Sequence, residues 1–310
     1  MSSSFLLYQP NPEAAQIPDF FSQPYLFGQA SHLLQQTDLP LHYFGLIDRA
    51  SGLSVARCGL FEKEGLLFSP GAASFGTIEF ADALSDRDLH DFLEFVLQTA
   101  RQIPVRRIRL TNPPACYGPA FLKRLETMLE DNGFRVLAQT PTHHLPVSDA
   151  PFVSRLHSFE RHKLRKSRRD GFRSEIWQTP DVGQLFAFIR AARLRKNYRM
   201  TITAVQLGHL LSRFPGETTV FAVWRDDRLA AASIGIRVSD EVLYHFQGAD
   251  HADFLSYSPT VQLVESLYEY CQQQRIPVLD LGTSVSDGVT LFKKRLGAVE
   301  GKKRTFLKEL

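Results

Sequence analysis

The chain has 310 residues, of which 44% are hydrophobic, 11% aromatic and 22% charged; this composition is typical of a packed globular protein and excludes a disordered one. No apolar run approaches the roughly 18 residues that cross a bilayer, so no membrane span is expected. The net charge of +3 is uneven, since residues 1–150 carry 11 Lys and Arg against 16 Asp and Glu, and residues 151–310 carry 25 against 17. The second half is therefore expected to favour a partner that bears phosphate or carboxylate.

The length predicts two domains, because one hydrophobic core stops growing near this size. We place them at residues 1–150 and 151–310, joined within the Pro-rich and turn-rich segment 142–151. The first 20 residues lack a basic region followed by a long apolar one, so no signal peptide is expected. The three scattered cysteines predict a reducing, cytoplasmic location with neither disulfides nor a metal site: Cys58, Cys116 and Cys271.

In the first half, aromatic and β-branched residues predict a hairpin of strands 41–48 and 53–61. Residues 90–111 follow as an amphipathic helix that leads into a short strand. The segment FLKRLE (121–126) is then expected to be helical and to precede another strand.

In the second half, helices are expected between about 181 and 213, followed by three antiparallel strands within 218–249. Residues 261–283 again predict a helix that leads into a strand. Ile-Pro-Val recurs at an offset of 173 residues, and FLKRLE (121–126) recurs as FKKRLG at an offset of 171. This favours a duplicated α/β domain, although two amphipathic helices can also resemble each other by chance.

This order of elements resembles the GNAT acyltransferase fold, and its duplication resembles the Fem-type peptidyltransferases and the CelD-like acetyltransferases. The resemblance covers about residues 40–306. It is carried by five stretches: KLRKSRRDGF (163–172), YHFQGAD with SYSPTVQLVESL (244–267), IPVLDLGTS (276–284), LFKKRLGA (291–298) and LLFSPGAASFGTIEF (66–80). It implies an α/β (α+β) fold of tandem GNAT-like domains, each a mixed, mostly antiparallel sheet flanked by helices. The chain lacks the Gln/Arg-x-x-Gly-x-Gly/Ala pyrophosphate loop of standard GNAT enzymes.

Ser258-Pro259-Thr260 is typical of a helix start, where Ser caps and Pro lacks the amide that would be left unbonded. The amides of Thr260 and Val261 would then form an anion site at the positive end of the helix. The resemblance implies that this helix start faces the acyl-donor cleft. Plain capping by Ser258 is the alternative.

Lys293 and Lys294 are candidates for holding a diphosphate or the carboxylate of a peptide-like acceptor, and the resemblance places the matching Lys beside the donor. Alternatively, they form a solvated basic face, as the similar Lys123-Arg124 pair in the acidic half indicates.

His245 and Gln247 alternate with Tyr244 and Phe246 along a strand, so they are expected to share one face. His245 is the candidate general base for an attacking amine, because its ordinary pKa lies near the operating pH. A structural histidine is the alternative. Tyr257 and Asp280 are weaker candidates for proton transfer or orientation.

The segment RHKLRKSRRDGF (161–172) is predicted to be an amphipathic helix with a free Arg face, ended by Gly171. Arg165, Lys166 and Arg169 are candidates to bind phosphates of CoA, of a lipid or nucleotide, or of tRNA. Phe159 and Phe172 are expected to point inward or to end the helix, which disfavours base stacking. A solvated face remains the alternative.

The resemblance implies an enzyme, an N-acyltransferase that moves an acetyl or aminoacyl group to a small-molecule or peptide-like amine in a cleft of the C-terminal domain. The donor would be an acyl-CoA, such as acetyl-CoA, another thioester or an aminoacyl-tRNA; no metal is expected. The N-terminal domain would be degenerate. The alternative is a catalytically inactive GNAT-fold protein that binds RNA or another polyanion through the basic helix 161–173.

Overall fold

The computed structural model describes residues 4–22 and 25–310. The chain divides into two compact units, of which unit 1 comprises residues 1–140 and 302–310 and unit 2 comprises residues 141–301. The last nine residues thus belong with the N-terminal unit. Among the described residues, no helix has both the length and the apolar character needed to cross a membrane.

Unit 1 begins with a meander of antiparallel strands that continues through a helix into a parallel strand. Its elements up to residue 131 are β1 (Ser4–Pro10), α1 (Ala30–Leu33), β2 (Leu41–Asp48), β3 (Ser54–Lys63), β4 (Leu66–Ser69), β5 (Glu79–Phe80), α2 (Asp86–Ala100), β6 (Arg107–Thr111) and α3 (Pro119–Asp131). Strands β1 to β4 pair in sequence order as antiparallel neighbours, β5 pairs with β3, and β6 runs parallel to β4. The predicted hairpin, the helix that leads into a strand and the helix over 121–126 are confirmed.

Unit 2 repeats this order of elements. Its elements are β7 (Arg135–Pro146, which begins in unit 1), α4 (Phe152–Arg155), α5 (Ser158–Arg169), β8 (Phe172–Ile176), α6 (Val182–Arg195), α7 (Ala204–Arg213), β9 (Thr218–Arg225), β10 (Arg228–Ser239), β11 (Val242–Asp250), α8 (Pro259–Gln274), β12 (Val278–Thr283) and α9 (Asp287–Arg295). Strands β8 to β11 are antiparallel neighbours, and β12 runs parallel to β11. In both units, a helix therefore connects the last strand of a meander to a parallel neighbour.

Strand β7 and the last strand, β13 (Val299–Glu309), each pair with the parallel strand at the end of a meander, β12 in unit 2 and β6 in unit 1. Residues Thr142–Pro146 of β7 pair antiparallel with β12 inside unit 2. Strand β13 pairs antiparallel with β6 through Thr305–Glu309 inside unit 1.

Helix α8 is the central packing element of unit 2. It begins at Pro259, as the Ser-Pro pair predicted, and its buried face adds Val261, Leu263, Val264, Leu267, Tyr268 and Cys271 to the core. The chain leaves the helix at Arg275, which has a left-handed φ of 57°.

Helix α5 is shorter than the predicted basic helix over 161–173. It ends at Arg169, and Gly171 follows with a φ of 85°, a conformation that glycine adopts without strain. Phe172 and Arg173 already belong to β8. The predicted Gly stop is therefore confirmed, whereas the extension of the helix to residue 173 is wrong.

Candidate functional site

The parallel strands β11 and β12 separate at one end, and this separation opens a cleft in unit 2. The two strands pair only from Val242 to Tyr244 against Val278 to Asp280. Beyond these residues, each strand is irregular: β11 has a register shift against β10, and β12 has one against β7 between Asp280 and Thr283. Because the strands no longer hydrogen-bond to each other there, their carboxyl ends leave room for a ligand.

The cleft has a volume of about 650 Å³, a size that small-molecule sites commonly have. Its walls come from β11, β12, helix α9, the start of α8 and the segment between α6 and α7. The predicted site residues that line it are His245, Ser258, Thr260 and Lys293. The structure thus gathers four of the twelve predicted side chains around one cavity.

His245 lies in the cleft wall with its Nε2 atom buried and without a hydrogen-bond partner among the described residues. A Cβ atom built on Gly248 would come within 2.7 Å of that atom, so the imidazole packs directly against the Gly248 α-carbon. Burial, and then the charge of Lys293, lower the pKa of His245 to about 4. The imidazole is therefore neutral at pH 7.

Lys293 is the inward-facing residue of the FKKRLG segment. Its side chain is buried, and its Nζ atom donates to the carbonyl oxygens of Gly282 at 2.9 Å and Thr283 at 2.8 Å. Both carbonyls lie where β12 has left β11, so the lysine supplies hydrogen bonds that a strand partner would otherwise provide. Burial lowers the pKa of Lys293 to about 8, although the nearby Asp280 carboxylate opposes this shift.

Asp280 is buried outside the cleft wall, and its Oδ1 atom accepts a hydrogen bond of 2.7 Å from the Gly282 amide. Gly282 has a φ of 70°, and a Cβ atom there would lie 3.1 Å from the Tyr244 ring. Asp280 therefore stabilises the turn that presents the two carbonyls to Lys293. Lys294 points the other way: it is exposed and forms an ion pair of 2.6 Å with Glu300.

The start of helix α8 differs from the predicted anion site. Ser258 has a left-handed backbone with φ 50° and ψ 56°, and its side chain makes no capping hydrogen bond. The Val261 amide donates to the Ser258 carbonyl oxygen at 3.0 Å, and the Val261 side chain is fully buried. The predicted free amide of Val261 and the Ser258 side-chain cap are therefore both wrong. Thr260 lines the cleft, with its Oγ1 atom 3.5 Å from Asp250 Oδ2.

Gln247 lies in a bulge of β11 that begins after Phe246, so regular alternation does not extend from His245 to Gln247. Ser233 of β10 lies opposite both Gln247 and Gly248, and Gln247 has a φ of 57°. Its Nε2 atom donates to Thr201 Oγ1 at 2.6 Å, whereas its buried Oε1 atom has no partner among the described residues. The expected alternation is therefore wrong at this position. Through its hydrogen bond to Thr201, Gln247 connects β11 to the segment after α6.

Tyr257 lies outside the cleft wall, within an aromatic and cationic cluster beside helix α5. Its ring lies 5.1 Å from that of Phe172, and the Lys166 ammonium and the Arg225 guanidinium lie 4.8 and 5.1 Å from its centroid.

Most cations on the basic face of α5 form ion pairs or ring contacts with neighbouring side chains. Lys163 pairs with Glu160, Arg168 with Glu265 and Arg169 with Asp170. Arg165 alone among the three predicted anion-binding residues of this helix has no ion pair or aromatic partner within residues 4–22 and 25–310. Phe159 is 50% exposed, with Lys163 and Arg295 over its ring, so its predicted inward orientation is wrong.

Sequence reasoning missed the end of α6 and the segment that follows it, which supply a basic wall of the cleft. Arg193, Lys196 and Arg199 line the cavity. The Arg193 guanidinium donates through Nε at 2.8 Å and through Nη2 at 2.5 Å to the Arg199 carbonyl oxygen. The signal was the run RLRKNYR (193–199), which carries four cations in seven residues.

Comparison with known proteins agrees with this architecture. Residues 158–294 match the family model described as an acetyltransferase (GNAT) domain. No curated protein matches the chain in sequence. The expected resemblance to the GNAT superfamily is thus confirmed for the segment that contains the cleft.

Solved structures share the fold at low identity. FemX has a TM-score of 0.69 at 13% identity, covering 93% of this chain and 94% of its own. The C-terminal domain (DUF2156) of a putative lysylphosphatidylglycerol synthetase from Agrobacterium fabrum has a TM-score of 0.62 at 14% identity. The match covers 91% of this chain and 87% of that domain. A tandem GNAT protein from the clavulanic acid biosynthesis pathway has a TM-score of 0.56 at 12% identity, and the match covers 98% of each chain. The expected α/β fold of tandem GNAT-like units is confirmed, and the fold resembles that of FemX.

Proposed function

We propose that this chain is an N-acyltransferase that uses the cleft of unit 2 to transfer an acyl group from a thioester or ester donor to an amine. One observation carries the proposal: β11 and β12 separate within the segment that matches the GNAT model, and a neutral His245 and the Lys293 ammonium line the resulting cavity. The fold likeness supports acyl transfer in general. The donor and the roles of individual residues are part of the proposal.

In this reaction, the nitrogen of the neutral amine attacks the carbonyl carbon of the donor. The new C–N bond forms, the C–S or C–O bond of the donor breaks, and the thiolate or alkoxide leaves with the bonding electron pair. The attacking nitrogen becomes acidic as the bond forms, so a weak base is sufficient to take its proton. We assign that proton to the unpartnered Nε2 atom of His245, from which it passes to solvent or to the leaving group.

Lys293 supplies the positive charge of the site. An ammonium has three donors, of which two are engaged by the carbonyls of Gly282 and Thr283. The third is available to the carbonyl oxygen of the donor, on which negative charge develops during the attack. Because the first two hydrogen bonds hold the ammonium in place, little reorganisation is needed when that charge appears.

A donor panel tests the proposal. The protein is incubated with an amine mixture and, separately, with acetyl-CoA, a longer acyl-CoA, an acyl-carrier thioester and an aminoacyl-tRNA, and products are detected by mass spectrometry. We expect transfer from at least one donor, and a loss of about 100-fold in kcat/KM for Lys293→Met, the scale typical of removing one donor to a developing oxyanion. Lys294→Met is the matched control, since this neighbour is exposed outside the cleft. Absence of both binding and transfer with every donor would refute the assignment.

The contacts of α5 disfavour the alternative of an inactive, RNA-binding protein. Lys163, Arg168 and Arg169 already pair with carboxylates, and Lys166 lies over Tyr257. The alternative predicts strongly salt-dependent RNA binding that charge reversal at Arg165 and Arg169 abolishes. RNA affinity that survives both reversals would exclude it.

A further inference from the structure

Two cations that line the cleft, Arg193 and Arg199, make no ion pair with a carboxylate among the described residues, and a third, Lys293, lies near the Asp280 carboxylate. Arg193 donates to a backbone carbonyl and lies beside Tyr198, and Lys293 donates to two backbone carbonyls. The side chain of Arg199 is exposed and makes no ion pair or hydrogen bond within that part of the chain. The cleft therefore has an excess of positive charge, which favours an anionic ligand.

Among the residues that the structure describes, the one acidic side chain of the cleft wall, Asp250, does not pair with Arg193 or Arg199. Asp250 is already paired with Arg195 and, at 2.9 Å, with Lys196. Its carboxylate thus neutralises part of the charge of Arg195 and Lys196, and it makes no ion pair with Arg199.

Arg199 is also held at a fixed place on the cleft wall. The two hydrogen bonds from the Arg193 guanidinium bind its carbonyl oxygen. Two residues later, Thr201 accepts the hydrogen bond from Gln247, which lies in the bulge two residues after His245. The backbone that carries Arg199 is therefore anchored to the strand that carries the candidate base.

We propose that Arg199 binds a carboxylate or phosphate group of the acceptor, so that the acceptor is an amine that also carries an anion. The inference rests on the proposed function, because the acceptor amine must reach His245 to lose its proton. An anionic group on the same molecule then meets the basic wall to which that strand is tied. The guanidinium suits both anions, since its planar donors match the oxygens of either group.

The first experiment compares amines with and without an anion. L-phenylalanine is paired with phenethylamine for the carboxylate, and O-phosphoethanolamine with ethanolamine for the phosphate. Acyl transfer is measured as kcat/KM, and binding is measured by calorimetry without any donor. We expect the anionic member of at least one pair to be preferred, and Arg199→Ala to reduce that preference about tenfold or more, as expected for a lost charge-assisted hydrogen bond.

Two variants and one further ligand make the test specific. Arg199→Lys retains the charge and is expected to preserve part of the preference. Arg190→Ala is the control, since Arg190 is an exposed arginine of α6 that does not line the cleft. CoA binding by Arg199→Ala distinguishes an anion of the acceptor from a phosphate of the donor, and we expect it to be unchanged.

The outcomes separate this inference from the proposed function. Anion-selective binding that Arg199→Ala abolishes, without acyl transfer from any donor, supports the subsite and rejects the acyltransferase. Transfer without preference for either anionic amine overturns the subsite and leaves the acyltransferase standing. A loss of CoA affinity in Arg199→Ala with unchanged amine preference, or wild-type protein that prefers neither anion in binding or transfer, also overturns the subsite.

Discussion

The imidazole of His245 rests on the α-carbon of Gly248, at a distance that leaves no room for a methyl group. A Cβ atom at Gly248 would lie 2.7 Å from Nε2 and 2.8 Å from Cε1. We expect Gly248→Ala to turn the ring away from its position and to lower kcat/KM by about 100-fold, the scale of a 1 Å misplacement of a catalytic group. The midpoint of urea denaturation should change little.

Gly216→Ala is the control for that variant, because a Cβ atom at Gly216 meets no atom within 4 Å. Full activity in Gly248→Ala, with the imidazole seen to have moved, would show that His245 is not the base.

The Lys293 ammonium is expected to control the protonation of His245. Its positive charge is the second cause that lowers the pKa of His245, after burial. Lys293→Met should therefore raise the pKa of His245 above about 4 while leaving it below 6.5, because burial persists. NMR titration of the imidazole measures this directly. Lys294→Met should leave the titration unchanged, and a downward shift in Lys293→Met would contradict the assignment.

Acid should destabilise the protein partly through His245. Its folded-state pKa of about 4 lies below the unfolded value of 6.5, so the unfolded state binds more protons between these pH values. Stability from this group is present above pH 6.5 and is lost as the pH falls towards 4. In His245→Gln, the slope of unfolding free energy with pH should decrease by up to about 1.4 kcal/mol per pH unit. Urea denaturation of wild type and His245→Gln at pH 6.5 and 5 measures this change. The same dependence of unfolding free energy on pH in both proteins would contradict the prediction.

Lys293 is expected to stabilise unit 2, as well as to serve the site. Lys293→Met leaves the carbonyls of Gly282 and Thr283 without their donor, and removal of the buried charge offsets part of that loss. We expect a net decrease in unfolding free energy of about 1–3 kcal/mol. Lys294→Met breaks only an exposed ion pair and should cost at most about 1 kcal/mol. Equal effects of the two substitutions in urea denaturation would reject this distinction.

Arg168 is expected to contribute more to stability than its neighbour Arg165. Arg168 pairs with the buried Glu265. The pKa of Glu265 is raised, because burial raises it more than the arginine lowers it. Arg168→Ala leaves that carboxylate without its partner and should cost about 1–3 kcal/mol of unfolding free energy, moderated by the exposure of the arginine. Arg165→Ala should be neutral within about 0.5 kcal/mol. If the two variants have the same denaturation midpoint, the Arg168–Glu265 pair is not stabilising.

The amino-acid sequence by itself determined the order of most helices and strands from residue 41 onwards, and much of where they begin and end; β1, α1, β4 and β5 were not predicted. Amphipathic spacing, the Pro at 259 and the Gly at 171 are local signals, because hydrophobic periodicity and allowed φ values are properties of neighbouring residues. The duplication was visible for the same reason, since it repeats one order of local patterns. His245, and Lys293 together with Lys294, were candidates because of their places in a strand and a helix and because of the resemblance to the GNAT fold.

Only the tertiary structure decided which candidates meet. Adjacent lysines at 293 and 294 differ because carbonyls freed by the separation of two strands face one of them. The bulge at Gln247 interrupts the alternation that the sequence predicts. Cations of the basic helix pair with carboxylates such as Glu265, which is 97 residues from Arg168. Arg199 was overlooked because its importance depends on the cavity that it lines. Hydrogen bonding and charge compensation between distant segments have no local signature, so they appear only once the chain is folded.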